Sequence, residues 1–213
     1  MVSKIGIIPA AGRATRFGGL FKELLPLPNE RLLLTEAVER LRFCDQIIVV
    51  TSNEKAEAHK AILPKDVIIQ YQTGKELWGA IQTGFMRASA DFYYMTMPDT
   101  WMETDAFADA PVNEFSLGCF RTDEPERFGV LENGFVVDKH KGAKKPATAW
   151  GVWAFSHEIA DFWKSAQPGD YTSAVNMALA RGRWGLWEIG CYFDCANLDR
   201  YLDLLGYLKG RHE

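Results

Sequence analysis

Between Lys4 and Met97 the chain alternates short apolar runs with stretches of helical spacing. Lys4–Pro9, Gln46–Thr51, Val67–Tyr71 and Asp91–Met97 read as strands. Leu34–Phe43, the segment from Asn53 to Leu63, and Leu77–Ala90 read as helices. Leu34, Ala37, Val38 and Leu41 share one helix face; Ile81, Phe85 and Ala88 share another. Asn53 is placed to cap the middle helix, and Pro64 to end it. Ile47-Ile48-Val49-Val50 shows no polar alternation, as suits a strand buried on both faces. Alternation of this kind predicts a mostly parallel sheet with helices over both faces, a three-layer α/β/α sandwich. Ligands of such sheets sit beyond the carboxyl ends of the strands.

The second half changes character. Phe115–Phe120, Val130–Glu132, Phe135–Asp138 and Trp150–Phe155 read as strands, and Asn133-Gly134 is a hairpin turn. Helices are expected at about Tyr171–Arg181 and Leu198–Lys209, with a strand over Gly185–Phe193 between them that delivers Asp194. No linker rich in Pro, Gly or Ser divides the 213 residues, so the reading is one domain, 1–213, with a β-rich elaboration. No 18-residue apolar run and no leader segment are recognisable, which predicts neither membrane span nor export. Cys44, Cys119, Cys191 and Cys195 are scattered, and no second Cys or His pair completes a zinc site. Reduced thiols in the cytoplasm are therefore expected. A net charge of −4 argues against nucleic acid as a bulk ligand. Oligomeric state is not legible.

The chemistry begins after the first strand. Ile7-Ile8-Pro9 breaks into the small-residue loop Ala10, Ala11, Gly12, Arg13, Ala14 and Thr15, then delivers Arg16 and Lys22. Small residues let backbone N–H groups approach anionic oxygens, and two cations beyond them can neutralise a polyphosphate. No Ser or Thr follows Lys22, so the loop is not the P-loop of the nucleotide triphosphatases. The plainer reading is a strand-to-helix turn with two solvated cations. Asp99 and Asp194 each follow an apolar strand. Mg²⁺ takes one or two carboxylates and completes its shell with water and phosphate, which two aspartates at one sheet edge would suit. Taken singly, an Asp so placed is more often a turn former or helix cap. Gln72 follows the third strand and Gly79 lies at the start of the next helix. An amide can pair with a base edge, and a glycine lets a base lie against backbone. Lys139, Lys141, Lys144 and Lys145 read as a solvated basic loop.

These segments resemble, in order, the motifs of the nucleotidyltransferases. The loop through Lys22-Glu23-Leu24-Leu25-Pro26 resembles their signature, loosely A-A/G-G-x-x-x-R-[FM]…K-x-[LM]-L-P. The short step from Arg16 to Lys22 is similar to that of the molybdenum-cofactor guanylyltransferases. Met97-Pro98-Asp99-Thr100 looks like the family's aspartate turn, and Tyr192-Phe193-Asp194 like its late W-x-D segment. Pro125-Glu126-Arg127-Phe128-Gly129-Val130 resembles the P-x-R-[YF]-G-V stretch of the sugar-1-phosphate enzymes. Asp138-Lys139 stands at their Glu-Lys-Pro motif, and Trp150-Gly151-Val152-Trp153 at their G-[IL]-Y-x-F element. The chain departs from the pattern at Ala14 for Gly, Phe21 for Pro, His140 for Pro, and Ala196-Asn197 for Gly-Thr.

The resemblance implies a Rossmann-like, GT-A-like nucleotide-diphospho-sugar transferase fold, with a nucleotide-binding half 1–110 and an acceptor-binding half 111–213. It implies a Mg²⁺-dependent enzyme that moves a nucleotidyl group from an NTP to a sugar 1-phosphate and releases pyrophosphate. Arg16 and Lys22 would be catalytic. Ala10 to Thr15, Gln72 and Gly79 would bind the nucleotide, and Asp99 and Asp194 the metal. Asp138, Lys139, Trp150 and Gly151 would bind the phosphorylated acceptor, with Trp153 near them. Alternatives are a cytidylyltransferase using a phosphorylated alcohol, a nucleotide-sugar glycosyltransferase, and a non-catalytic domain of this fold. The glycosyltransferase reading is weakened by Asp99-Thr100-Trp101, which lacks the second Asp of an Asp-x-Asp motif.

Overall fold

The computed structural model describes residues 2–13, 20–103, 105–111 and 113–211. Its first half follows the sequence pattern closely: β1 (Lys4–Pro9), α1 (Leu33–Arg40), β2 (Gln46–Thr51), α2 (Ala56–Ile62), β3 (Ile68–Tyr71), α3 (Glu76–Met86), β4 (Phe92–Thr96) and β5 (Thr100–Met102). The second half comprises β6 (Phe115–Thr122), β7 (Gly129–Glu132), β8 (Phe135–Asp138), β9 (Ala147–Ser156), α4 (His157–Ala166), α5 (Tyr171–Ala180), β10 (Trp184–Glu188), β11 (Tyr192–Asp194) and α6 (Leu198–Gly210).

The main sheet runs β10-β6-β9-β4-β1-β2-β3. β1 pairs in parallel with β2 and β4, as do β2 with β3 and β6 with β10. β9 is inserted antiparallel between β4 and β6, and the β7–β8 hairpin branches from it. The expected three layers follow from alternation along the strands. Ile5 and Ile7 face one side with α3, α4 and α5, where Phe85, Phe155 and Trp163 meet. Ile8 and Ala10 face the other with α1, whose Leu34, Ala37, Val38 and Leu41 form the predicted stripe. Gly6 is pressed against this stripe: a Cβ there would come within 2.9 Å of the Leu41 side chain. No helix among the described residues is long and apolar enough to cross a membrane. All four cysteines are free thiols.

The structure adds to or departs from the sequence reading at four points. α2 starts from Lys55 rather than Asn53, because the chain first closes a turn in which the Lys55 amide donates to the Ser52 carbonyl at 3.2 Å. α4 was not anticipated, although Ile159, Ala160 and Trp163 bury one helical face. The strand expected over Gly185–Phe193 is two: β10 closes the main sheet, whereas β11 pairs with β5 in a separate two-stranded ladder. Asn197, not Asp194, caps α6 by accepting from the Arg200 amide at 3.0 Å.

Candidate active site

An open cleft of about 1080 Å³ lies beyond the carboxyl ends of β1, β2, β3 and β4. Its lining brings together Ala10, Ala11, Gly12, Arg13, Lys22, Gln72 and Asp99, all singled out from sequence. Ala14, Thr15 and Arg16 lie outside the described residues. β1 ends in Pro9, and the Ala10 amide still donates to the Val50 carbonyl at 2.7 Å, so the loop leaves the sheet from a fixed point. Lys22 opens a short 3₁₀ turn, Lys22–Leu24, and its ammonium forms an ion pair with Asp99. Burial disfavours the Lys22 charge, but Asp99, Asp194 and Glu23 outweigh it and hold the ammonium above its ordinary value.

The neighbour of Lys22 is the most buried acid of the site. Glu23, 2% exposed, accepts from Lys55 Nζ at 2.6 Å and lies 3.0 Å from His59 Nε2. His59 Nδ1 in turn meets Thr51 Oγ1 at 2.8 Å. Burial favours the neutral acid, yet His59 and Lys55 keep the Glu23 carboxyl below its ordinary value. This cluster fastens the Lys22 segment to the end of β2 and the start of α2. Nothing in local spacing marks it; only a Glu beside the signature lysine and a Lys four residues before a His were visible.

The two aspartates meet through the ladder. Asp194 pairs in register with Thr100, and the Cys195 amide donates to the Asp99 carbonyl at 3.1 Å. Burial and the like charge of Asp99 raise the Asp194 carboxyl, while Arg127 and Lys22 oppose the rise. Arg127 Nη2 lies 2.8 Å from Asp194 Oδ2. Beneath the turn between β4 and β5, the fully buried Arg40 donates to Thr96 Oγ1 at 2.8 Å. Burial lowers its guanidinium to about 10, against the influence of Glu36 and Tyr192.

At the opposite end of the cleft, Gln72 Nε2 donates to the Glu76 carbonyl at 2.9 Å. A carbonyl can only accept, so this contact orients the amide. Gly74 and Gly79 touch backbone to backbone; a Cβ on Gly79 would lie 2.5 Å from the Gly74 carbonyl carbon. Gly79 thus shapes the corner beneath Gln72 without itself lining the cleft. Ser52, Asn53, Glu54 and Tyr71 complete that end.

The acceptor candidates form a second group, outside this lining. Asp138 ends β8 and accepts a hydrogen bond from the Tyr171 hydroxyl. Lys139 follows at φ 51°, its side chain 60% exposed and its ammonium 3.7 Å from Asp138 Oδ2. Trp150 packs on Tyr171 with ring centroids 5.6 Å apart, and its indole edge closes on Gly129. The β6–β9 register shifts between Gly118 and Cys119, leaving Gly151 as the extra residue. A Cβ at Gly151 would lie 2.7 Å from the Tyr192 ring, two residues from Asp194. Trp153, by contrast, is fully buried among Phe115, Trp150 and Trp163 and belongs to the core.

Residues 6–119, more than half of the chain, match the MobA-like NTP transferase domain. The chain belongs to this family. It is a nucleotidyltransferase-type domain on the expected Rossmann-like, GT-A-like sandwich. A Bacillus anthracis protein proposed to be a glucose-1-phosphate thymidylyltransferase, crystallised with sucrose, superposes with a TM-score of 0.81 at 19% identity, over 96% of this chain and 95% of that one. A UDP-glucose pyrophosphorylase bound to UDP-glucose gives 0.73 at 20% identity, over 99% and 100%. The inositol-1-phosphate CTP transferase of T. maritima gives 0.72 at 12% identity, over 98% and 96%. At these identities the likeness establishes the fold. No curated protein matches the chain.

In this MobA-like domain, sequence reasoning missed Glu23, Lys55, His59 and Arg40, and it left Arg127 without a role. Their partners lie 32 residues or more away for Glu23, 56 for Arg40 and 67 for Arg127.

Proposed function

We propose that this domain transfers a nucleotidyl group from an NTP to a sugar 1-phosphate and releases pyrophosphate. One observation carries the reading. The small-residue loop, Lys22, Gln72 and Asp99 converge on one cleft, and the β5–β11 ladder brings Asp194 to Asp99. An oxygen of the acceptor phosphate attacks the α-phosphorus in line; the bond to the bridging oxygen of the β-phosphate breaks and its electrons leave with pyrophosphate. The acceptor is already ionised near neutral pH, because the second pKa of a phosphate monoester is about 6. No general base is required, and positioning with charge neutralisation does the work.

Backbone amides from Ala10 to Arg13, with Ala14, Thr15 and Arg16, take the β and γ phosphates in this reading. Lys22 faces the charge developing at the α-phosphoryl group, and Gln72 with the Gly79 corner receives the base. Asp99 and Asp194 would hold Mg²⁺. The donor set fits: two hard carboxylates stand close enough for one to raise the other, and both already attract cations. Bound there, the ion would neutralise and orient phosphate oxygens. Asp138, Lys139, Trp150 and Gly151 form the acceptor side, which assigns residues 1–110 to the nucleotide and 111–213 to the acceptor. One contact favours a phosphorylated alcohol as the second choice, since Tyr171 already occupies Asp138 and so competes with a sugar hydroxyl.

The test is a matrix of NTPs against hexose 1-phosphates, inositol 1-phosphate and phosphocholine, with Mg²⁺, read by pyrophosphate release. The expected result is one dominant pairing in which pyrophosphate depends on both substrates. Pyrophosphate from no pairing, or release independent of acceptor, would refute the assignment.

A further inference from the structure

We propose that Arg127 is a further phosphate-binding cation of the site, held on Asp194 to receive an oxygen of the acceptor phosphate. The proposal rests on the reading of Asp194 as a ligand of the divalent ion. Arg127 closes the short 3₁₀ turn Pro125–Arg127, between β6 and β7. Its guanidinium is fixed on two sides: Nη2 to Asp194 Oδ2 at 2.8 Å, Nη1 to Glu124 Oε2 at 2.9 Å. Glu124 is itself braced, since its amide donates to Thr122 Oγ1 at 3.0 Å and its other carboxylate oxygen takes Arg200. Nε enters neither contact of Arg127, and the side chain keeps 23% of its exposure.

Charge accounting gives this placement its meaning. Each aspartate of the pair has its own basic partner, Lys22 on Asp99 and Arg127 on Asp194. Two phosphate-bearing substrates must meet beside these carboxylates. Lys22 stands beside the small-residue loop, on the nucleotide side. Arg127 stands on the other aspartate, outside the cleft lining and beside an aromatic cluster. There Tyr192 stacks on Phe120 at 4.0 Å, Phe128 packs edge-on against Phe120, and Gly151 lies directly under Tyr192. The guanidinium also lies over the Phe128 ring, 5.3 Å from its centroid. A cation so confined, with a planar fork of donors, matches a phosphate better than a mobile lysine does.

The experiment compares Arg127→Met and Arg127→Lys with Lys144→Ala, an exposed lysine of the basic loop. Steady-state constants are measured for the NTP and for the acceptor found by the matrix. Mn²⁺ binding to the protein alone is followed by electron paramagnetic resonance, and thermal melting reports folding. Arg127→Met is expected to raise the acceptor KM roughly 10- to 100-fold, as for loss of one charge-assisted hydrogen bond. The NTP KM should stay within about twofold, and Mn²⁺ should bind as tightly as before or tighter, since a neighbouring positive charge is gone. Arg127→Lys should recover part of the loss. Weaker Mn²⁺ binding with an unchanged acceptor KM would overturn the proposal and reduce Arg127 to a brace for Asp194. An acceptor KM no different from that of Lys144→Ala would also overturn it. If Arg127→Met fails to fold, Arg127→Lys decides alone: an unchanged acceptor KM refutes the proposal, and a rise with wild-type Mn²⁺ affinity supports it. Asp194→Asn with wild-type Mn²⁺ affinity and turnover would instead remove the metal reading, whatever Arg127 does, and the proposal with it.

Discussion

Replacing Lys55 by Met would strip Glu23 of its nearest partner, 2.6 Å away, in a place that water barely reaches. Both side chains are almost fully buried, at 3% and 2% exposure, so solvent screening gives little relief. Among the described residues Glu23 would keep His59 as its side-chain partner, and breaking a buried pair from one side typically costs about 3–5 kcal/mol. A domain of this size loses roughly 2–4 °C of melting temperature per kcal/mol, which places the expected drop at about 6–20 °C. The surface pair Lys60–Glu57 serves as the internal standard. Its side chains are 47% and 86% exposed, so water screens the pair and Glu57→Gln should leave the melting point nearly unchanged. The pH dependence adds a second signature. Glu23 titrates below its ordinary value of 4.5 in the folded chain, so its contribution is present above that value and is lost as pH falls through the folded pKa. Wild type should therefore lose stability between pH 5 and lower values more steeply than Lys55→Met, which lacks most of that contribution. Melting curves by circular dichroism at pH 7 and across the acid range measure both effects. A Lys55→Met melting point within about 2 °C of wild type would show that Glu23 is not held by the ammonium, and the account of how the Lys22 segment is anchored would fail.

Three further outcomes are expected. Lys22→Ala should lower turnover by roughly 10²- to 10³-fold with the fold intact, because a preorganised charge is lost while its partner Asp99, though buried, lines the open cleft; near wild-type kcat would remove Lys22 from the chemistry. Asp99→Asn and Asp194→Asn should each raise the Mg²⁺ concentration for half-maximal activity and weaken Mn²⁺ binding, since each keeps the shape and removes one anionic donor; a variant that titrates like wild type excludes that residue from the metal site. Gly79→Ala forces a methyl to within 2.5 Å of the Gly74 backbone, so it should cost about 1–3 kcal/mol and raise the NTP KM more than the acceptor KM; unchanged stability would mean that the two backbones separate freely.

The alternation of apolar runs and helical stripes was enough for the sandwich, because periods of 2 and 3.6 residues are properties of a few consecutive side chains. The stripe Leu34, Ala37, Val38 and Leu41 packs as its spacing demanded, and Ala10–Arg13, Lys22, Gln72 and Asp99 fell at strand ends that share one cleft. Helix α4 carries the same mark in Ile159, Ala160 and Trp163, but it follows β9 without a break, and the strand signal of β9 runs up to its first residue. Other features carry no local mark. Trp150 and Trp153 look alike in the sequence, yet one edges toward Tyr171 and the hairpin while the other is sealed in the core. The split of Gly185–Phe193 into β10 and β11 depends on which strands are free to receive each half, β6 for one and β5 for the other. The pairings of Glu23 with Lys55 and His59, of Arg40 with Thr96, and of Arg127 with Asp194 close long loops. Their cost in chain entropy is met by the whole sheet rather than by neighbouring residues. Sequence alone therefore set most of the strands and helices and the place of the small-residue loop after β1. Only the tertiary structure decided that Asp194 meets Asp99, and which cation attends each of them.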